Sequence, residues 1–305
     1  MTGTPPYHRA GFVAVIGRPN VGKSTLINAY VGRKVTAVSS KPQTTRYRIA
    51  GVRTTGAYQM TFLDTPGIHR AESLLNREMV RVALNTLEDV DVILWIIDAN
   101  HPLTDEDRLI HGHLKDIKTP VVVALNKADL VKPKQNLLPV MEECQKLLPP
   151  AEVIPISATE AVNLDRLEHV LLTYLPEGPP FFPSEQATDQ PQHLLAAEVV
   201  REKVFQLAHQ EIPYAVAVQV DEMTEREEEG IIDIQASIYV EKDSQKGIII
   251  GAGGQMLKKI GAQARHEIEG ILGRRVYLGL WVKVRKSWRK DKEALRRFGF
   301  LQKHD

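Results

Sequence analysis

Nine consecutive residues, Gly17-Arg18-Pro19-Asn20-Val21-Gly22-Lys23-Ser24-Thr25, bring three chemistries together. Two glycines let the backbone turn so that successive N–H groups converge on one anion. Lys23 supplies a mobile positive charge, and the Ser24 hydroxyl can ligate a divalent cation. A polyphosphate needs all three. The stretch follows the apolar run Phe12 to Ile16 and precedes Leu26, Ile27, Tyr30 and Val31 at helical spacing. Strand, glycine-bounded loop and helix form the setting in which this pattern is a phosphate cradle rather than a bare turn. Its contact residues are Gly17, Asn20, Val21, Gly22, Lys23, Ser24 and Thr25.

Three further polar clusters stand directly after apolar runs. Asp64-Thr65-Pro66-Gly67 offers a carboxylate that can hold Mg2+ through water and, at Gly67, an N–H for a terminal phosphate. Asn126-Lys127-Ala128-Asp129 carries base choice. Guanine presents adjacent N1–H and N2–H donors that the Asp129 carboxylate can accept together, whereas adenine would leave that carboxylate desolvated and unpaired. The Lys127 stem can cover one face of the base. Ser157-Ala158 can supply a backbone N–H to guanine O6. Between the cradle and Asp64 lies the polar segment Lys34 to Arg48, which reads as a mobile loop. A threonine hydroxyl there can complete a Mg2+ shell only when the γ-phosphate is present, so loop order would follow nucleotide state. Thr45 is favoured over Thr44. The metal set is then Ser24, Thr45 and Asp64, and Lys23 with Thr45 serves the reacting phosphate.

The elements that must position these groups are legible over residues 11 to about 175. Apolar runs at 12–16, 60–63, 92–97, 121–125 and 153–156 alternate with amphipathic stretches near 74–87, 105–116, 136–148 and 163–175. Continuous apolar strands between helices predict an α/β fold with a mostly parallel sheet covered on both faces. Ligands in such sheets sit beyond the carboxyl ends of the strands, where every cluster above is found. His69 is the one tempting base near the phosphates, and it reads as a solvated neighbour of a mobile segment.

Leu175 to Ser184 contains four prolines and ends the alternation, which places a semi-rigid join near Phe182 and divides the chain into 1–182 and 183–305. Beyond it come an amphipathic helix near Gln192–Gln210, strands near 215–220 and 231–240, and an acidic turn from Asp221 to Gly230. Next, an apolar helix runs into Gly251-Ala252-Gly253-Gly254, another helix follows, and a strand covers Val276 to Val284. From Arg274 to Lys303 eleven cations face only Asp291 and Glu293, although the whole chain has a net charge of +1. Trp281 and Trp288 lie among them, and Trp288 reads either as a base-stacking ring or as core.

At 305 residues, 43% hydrophobic and 25% charged, the composition is that of an ordinary soluble protein of about two domains. No apolar run is long enough for a membrane span, and the N-terminus lacks a signal-peptide core. A single cysteine, Cys144, excludes an intrachain disulfide and a cysteine-rich zinc site, and fits a reducing cytoplasm.

With GRPNVGKS, QTTR, DTPG, NKAD and SA in this order, residues 10–178 resemble a translation-factor-related P-loop GTPase. The QTTR and DTPG-Ile-His versions are similar to the Era family in particular. The second half looks like a type II KH domain, an α+β module whose GXXG loop clamps a nucleic-acid backbone. Ala252 departs from that pattern, which often has a polar residue there. Phosphate contact then leans on the glycine loop Gly251, Ala252, Gly253 and Gly254 together with Lys258, Lys259 and the C-terminal cations, Arg285 and Lys286 among them.

The resemblance implies hydrolysis of GTP to GDP with Mg2+, binding to the 3′ end of small-subunit ribosomal RNA, and a role in maturing the small ribosomal subunit. It implies a cytoplasmic monomer, with peripheral membrane contact open through the basic tail. Ile68 stands where Ras-like enzymes carry a water-orienting glutamine, so another group must align the water. Asn20 resembles an asparagine that ligates K+ in some relatives, and K+ there would replace the charge of an arginine finger. The alternatives are an RNA-binding protein whose nucleotide domain barely hydrolyses GTP, and a related GTPase acting on other RNA.

Overall fold

The computed structural model describes residues 8–39, 41, 45–70, 73–148, 151–208, 212–226 and 230–300. Ser40, Pro42, Gln43, Thr44, the glutamates 227–229 and Lys303, all part of the expectations above, lie outside the described residues. Contacts divide the chain into two units, one of residues 1–36, 45–72 and 79–189, the other of 37–44, 73–78 and 190–305.

The first unit is a six-stranded sheet in the order β2-β3-β1-β4-β5-β6. The strands are β1 (Arg9–Ile16), β2 (Ile49–Thr54), β3 (Tyr58–Asp64), β4 (Val92–Asp98), β5 (Val121–Asn126) and β6 (Glu152–Pro155). The helices met along this part of the chain are α1 (Lys23–Val31), α2 (Leu74–Asn85), α3 (Asp105–Leu114), α4 (Leu137–Leu147) and α5 (Leu164–Tyr174). Every residue of β3 and β4 is buried. That is why β4 reads as an unbroken apolar run up to Asp98, whereas β3 buries Gln59 and Thr61 among its apolar residues. Side-chain period two sends Val13, Val15, Leu94 and Ile96 to the core that holds Leu26, Ile27 and Leu171. It sends Ala14, Ile16, Ile93, Trp95 and Ile97 to the opposite core, with Ile68, Ile110 and Cys144. Burial raises the Cys144 thiol pKa to about 12, with Glu143 and Asp107 adding to the shift.

Two features were not legible. The edge strand β2 pairs antiparallel with β3, so the sheet is mixed at one edge. The proline-rich connector also clusters with the first unit through Asp189, beyond the join read near Phe182. The Gln59 side chain explains this. Its oxygen accepts from the N–H groups of Phe181 and Phe182 at 2.7 and 2.9 Å, and its amide nitrogen donates to the Phe182 carbonyl at 2.8 Å. Further along, Val52 N–H donates to the Ala187 carbonyl at 2.8 Å.

The second unit contains α6 (Gln192–Leu207), β7 (Ala217–Arg226), β8 (Ile231–Val240), α7 (Asp243–Ile250), α8 (Gln255–Leu272), β9 (Arg275–Val284) and α9 (Lys292–Arg297). Its sheet order is β7-β8-β9, with β7 antiparallel and β9 parallel to β8. The acidic turn expected over Asp221 to Gly230 is strand up to Arg226, with a bulge between Val220 and Glu222. Its polar residues mislead because an edge strand needs apolar side chains only where it covers the core, and here only Met223 packs inward beyond the bulge. Helix α6 is buried on nearly every side from Ala196 to Phe205. Its charges are paired accordingly: Arg201 with Glu198, Lys203 with Glu267, and Glu202 with the Val38 N–H at 3.0 Å.

Candidate nucleotide and nucleic-acid sites

The nine-residue loop follows β1 directly and opens α1 at Lys23. Gly22 adopts φ 100°, and a Cβ there would come within 2.2 Å of the Asn126 amide nitrogen. The close approach has a purpose: Asn126 Nδ2 donates to the Val21 carbonyl at 2.8 Å while its Oδ1 accepts the Ala158 N–H at 3.0 Å. One side chain thus ties the cradle to both later motifs. Lys23 is buried, with Nζ donating to the carbonyls of Gly17 and Arg18 at 3.1 and 3.0 Å. Burial lowers its pKa to about 8, against an opposing pull from Asp64 and with a smaller lowering from Arg18. Thr25 stands in the first turn of α1.

The three residues expected to hold a metal converge. Ser24 Oγ donates to Asp64 Oδ2 at 2.8 Å and lies 3.1 Å from Thr45 Oγ1, which donates to the same carboxylate oxygen at 3.3 Å. An all-oxygen set of two hydroxyls and a carboxylate suits a hard cation such as Mg2+. Asp64 ends β3, and the loop after it returns to the cradle: a Cβ on Gly67 would sit 2.7 Å from the Pro19 nitrogen. Ile68 N–H donates to the Gly17 carbonyl at 3.2 Å and its side chain is fully buried in the core. The solvated reading of His69 is corrected. The ring is buried with Nδ1 2.8 Å from the Gly67 carbonyl, which ties it to its own loop.

At the base-recognition end, Lys127 has φ 63° and its Nζ donates to the Asn20 carbonyl at 2.9 Å and to Asp98 Oδ2 at 2.7 Å. Asp129 Oδ1 is buried with no hydrogen-bond partner among the described residues. An orphaned carboxylate oxygen is costly, and a base bearing two adjacent donors would satisfy it. Ser157 Oγ accepts the Glu160 N–H at 3.1 Å and holds the short turn that presents the Ala158 backbone.

In the second unit, Gly251 closes α7 and Gly254 caps the start of α8 with φ 79°. A Cβ at Gly254 would meet nothing within 4 Å, so the space beside the loop is open. The loop borders a groove of about 520 Å³ lined by Gly254, Leu257, Lys258 and Arg265 on one side and Tyr277, Leu278 and Leu280 on the other. Of the expected phosphate-binding cations, Lys258 lines the groove. Lys259, Arg285 and Lys286 are not in its walls, and Arg285 is paired with Asp291 at 2.8 Å. The Trp288 alternative is settled in favour of packing: the ring is fully buried, and its Nε1 donates to the Ala215 carbonyl at 2.9 Å.

Comparison with known proteins joins the two sites. Residues 12–127 match the family described as 50S ribosome-binding GTPase, and residues 211–289 match the KH domain. Over 298 residues the chain is 47% identical to the GTPase Era of Staphylococcus haemolyticus (strain JCSC1435), covering 98% of this chain and 99% of that protein. The chain belongs to the Era family of GTPases. Its fold matches a crystal structure of Era in complex with MgGDPNP and nucleotides 1506-1542 of 16S ribosomal RNA, at TM-score 0.94 and 44% identity, covering 97% of this chain and all of that one. It also matches a point variant of Aquifex aeolicus Era bound to GDP and AlF4−, at TM-score 0.93 and 44% identity over 96% of this chain. As a member of this family the protein hydrolyses GTP to GDP and phosphate.

Several supporting residues of this Era-family site carry no motif. Asp98 neutralises Lys127 from the end of β4. Asp107 meets Arg18 Nε at 3.4 Å and is itself locked in a capping box with Thr104 at the start of α3. Arg265 reaches the groove from the third turn of α8. The capping pattern Thr104-Asp-Glu-Asp107 is visible in the sequence, but its proximity to the cradle is not.

Proposed function

We propose that the protein is a GTP-driven switch that binds the 3′ end of small-subunit ribosomal RNA and assists maturation of the small ribosomal subunit. The observation that carries the switch is the meeting of Thr45 with Ser24 and Asp64. A hydroxyl from the loop joins a hydroxyl from the cradle on one carboxylate, so the loop's position depends on what the cradle holds. Ser24, Thr45 and Asp64 would hold Mg2+, which when bound neutralises charge on the phosphate oxygens. Lys23 and the backbone N–H groups of residues 20–25 would bind the phosphates, and Asn126, Lys127, Asp129, Ser157 and Ala158 the guanine. Ile68 offers no hydrogen bond to water, and K+ held at Asn20 would supply the missing positive charge.

For the RNA, support comes from the KH match and from the solved Era complex, which holds nucleotides 1506-1542 of 16S ribosomal RNA. The glycine loop 251–254 with Lys258 would clamp the backbone, and the boundary of the RNA-binding half lies between Phe182 and Asp189. A cytoplasmic monomer is the working form. No described helix is long and apolar enough to cross a membrane. Contact of the basic C-terminal segment with anionic lipid is a secondary use, measurable by vesicle co-sedimentation.

Single-turnover hydrolysis of bound GTP, with and without the 3′-terminal RNA and in Na+ or K+, tests the switch. RNA should alter the rate, and K+ should raise it at least tenfold over Na+, about 1.4 kcal/mol. Equal rates in both salts would remove the K+ assignment. Asp129→Asn should shift preference from guanosine to xanthosine triphosphate by at least roughly a hundredfold, because the donor pattern required of the base reverses. Retained guanosine preference in a binding titration would overturn the assignment.

A further inference from the structure

We infer that the outer face of β9 is a base-stacking platform onto which single-stranded RNA continues after leaving the glycine-loop groove. The inference rests on the RNA-binding reading above and extends it beyond the clamp. β9 is an edge strand, and its successive side chains divide between two surfaces. Leu278 and Leu280 face the groove, while Tyr277 and Trp281 stand on the opposite face, 54% and 50% exposed. Tyr277 also reaches the groove wall, so groove and outer face meet at this edge.

Gly279 lies between the two rings. A Cβ there would come within 2.9 Å of the Trp281 indole and within 2.0 Å of Gln235 Oε1, so the indole and the amide both pack against the glycine. Strand rise separates the Tyr277 and Trp281 Cα atoms by about 13 Å, and the indole leans back over Gly279, so the two rings stand closer together than that. The Arg226 guanidinium sits 5.5 Å over the Tyr277 ring, and the exposed Arg275 and Lys283 lie further along the same face. Of the carboxylates on this face, Asp233 is engaged by Arg226 and Gln235 and Asp221 by Lys283 and Ser237, while the exposed Glu222 stands one strand further out, on β7 opposite Gln235. Covering Gly279 would account for Trp281 alone. It does not account for a second half-exposed ring four residues away on the same face. The far part of this face is closed, with Phe298 at 4.7 Å from Tyr239, so the aromatic pair is the part left open. Bases stack on exposed aromatic rings irrespective of sequence, and the cations flanking the pair, Arg275 and Lys283, are placed to meet the phosphates.

The full-length protein reports on this face directly. Of its three tryptophans, Trp95 and Trp288 are fully buried, so fluorescence changes caused by stacking arise at Trp281. A nested series of 3′-terminal small-subunit RNA oligonucleotides is titrated, lengthened from the shortest one that binds. The shortest should leave the fluorescence unchanged, and the longer ones should quench it and bind roughly tenfold more tightly. Trp281→Ala should abolish that gain while leaving the shortest oligonucleotide's affinity and GTP hydrolysis unchanged. Trp281→Phe should keep most of the gain, and Tyr277→Ala should lose part of it. Added nucleotides without bases should give neither quenching nor gain. Undiminished gain in Trp281→Ala, or from abasic additions, overturns the platform. Failure of every oligonucleotide to bind overturns the RNA-binding reading instead.

Discussion

The two glycine-bounded loops of this molecule use glycine for opposite reasons. In the cradle, Gly22 is forced by what lies inside the protein, because a side chain would strike the Asn126 amide at 2.2 Å. In the KH module, Gly254 has nothing within 4 Å of a Cβ, and only its φ of 79° and the open space beside it are constrained. The first glycine lets the protein pack against itself so that buried groups stand ready for a phosphate. The second leaves room for a backbone that arrives from outside. Accordingly the cradle is already cross-linked by side-chain hydrogen bonds, whereas the 251–254 loop is open, with Lys258 and Arg265 in the groove beside it.

One substitution in each loop would separate these roles. The largest effect should come from Gly22→Ala. Strain of about 1–3 kcal/mol at positive φ adds to displacement of Asn126. GTP affinity should fall roughly a hundredfold in a calorimetric titration, with RNA binding kept. A loss smaller than fivefold would break the comparison. Gly254→Asp should have the converse signature, an affinity for 3′-terminal RNA lower by roughly tenfold or more with GTP turnover intact, since the added carboxylate occupies open space and repels phosphate.

The smallest effect sharpens the picture of the cradle. Burial holds the Lys23 pKa near 8, below its usual value of 10.5. Between these values the unfolded chain binds more protons than the nucleotide-free fold, so that fold should gain stability as pH rises from about 8 to 10.5. Binding a polyphosphate favours the charged amine, so GTP binding should take up a proton in this window, with an affinity that declines above pH 8. Calorimetry in buffers of different ionisation enthalpy measures the uptake, and Lys23→Met should abolish it.

Most of the sheet and both site loops were legible because their signals are local. A central parallel strand such as β4 is apolar along nearly its whole length, and a phosphate-binding turn must have its glycines in place. The misreadings concern positions whose sequence is permissive. β2 is short, with Gly51 in the middle of its buried apolar residues, and the outer part of β7 carries polar residues because an edge strand is half solvated, so neither gave a clear strand pattern. The connector through Asp189 is anchored by Gln59, a distant residue with no motif.

The chain's order of residues, taken alone, determines the phosphate cradle, the base-recognition tetrad, the glycine loop and the succession of strands and helices. Each of these depends on neighbours a few positions away, within reach of backbone geometry and side-chain period. Only the tertiary structure decides that Asn126 joins three motifs, that Arg285 is held by Asp291 outside the groove walls, and that Trp288 is core while Trp281 is surface. Those outcomes depend on which side chains meet across dozens of residues. Spacing along the chain does not encode that distance.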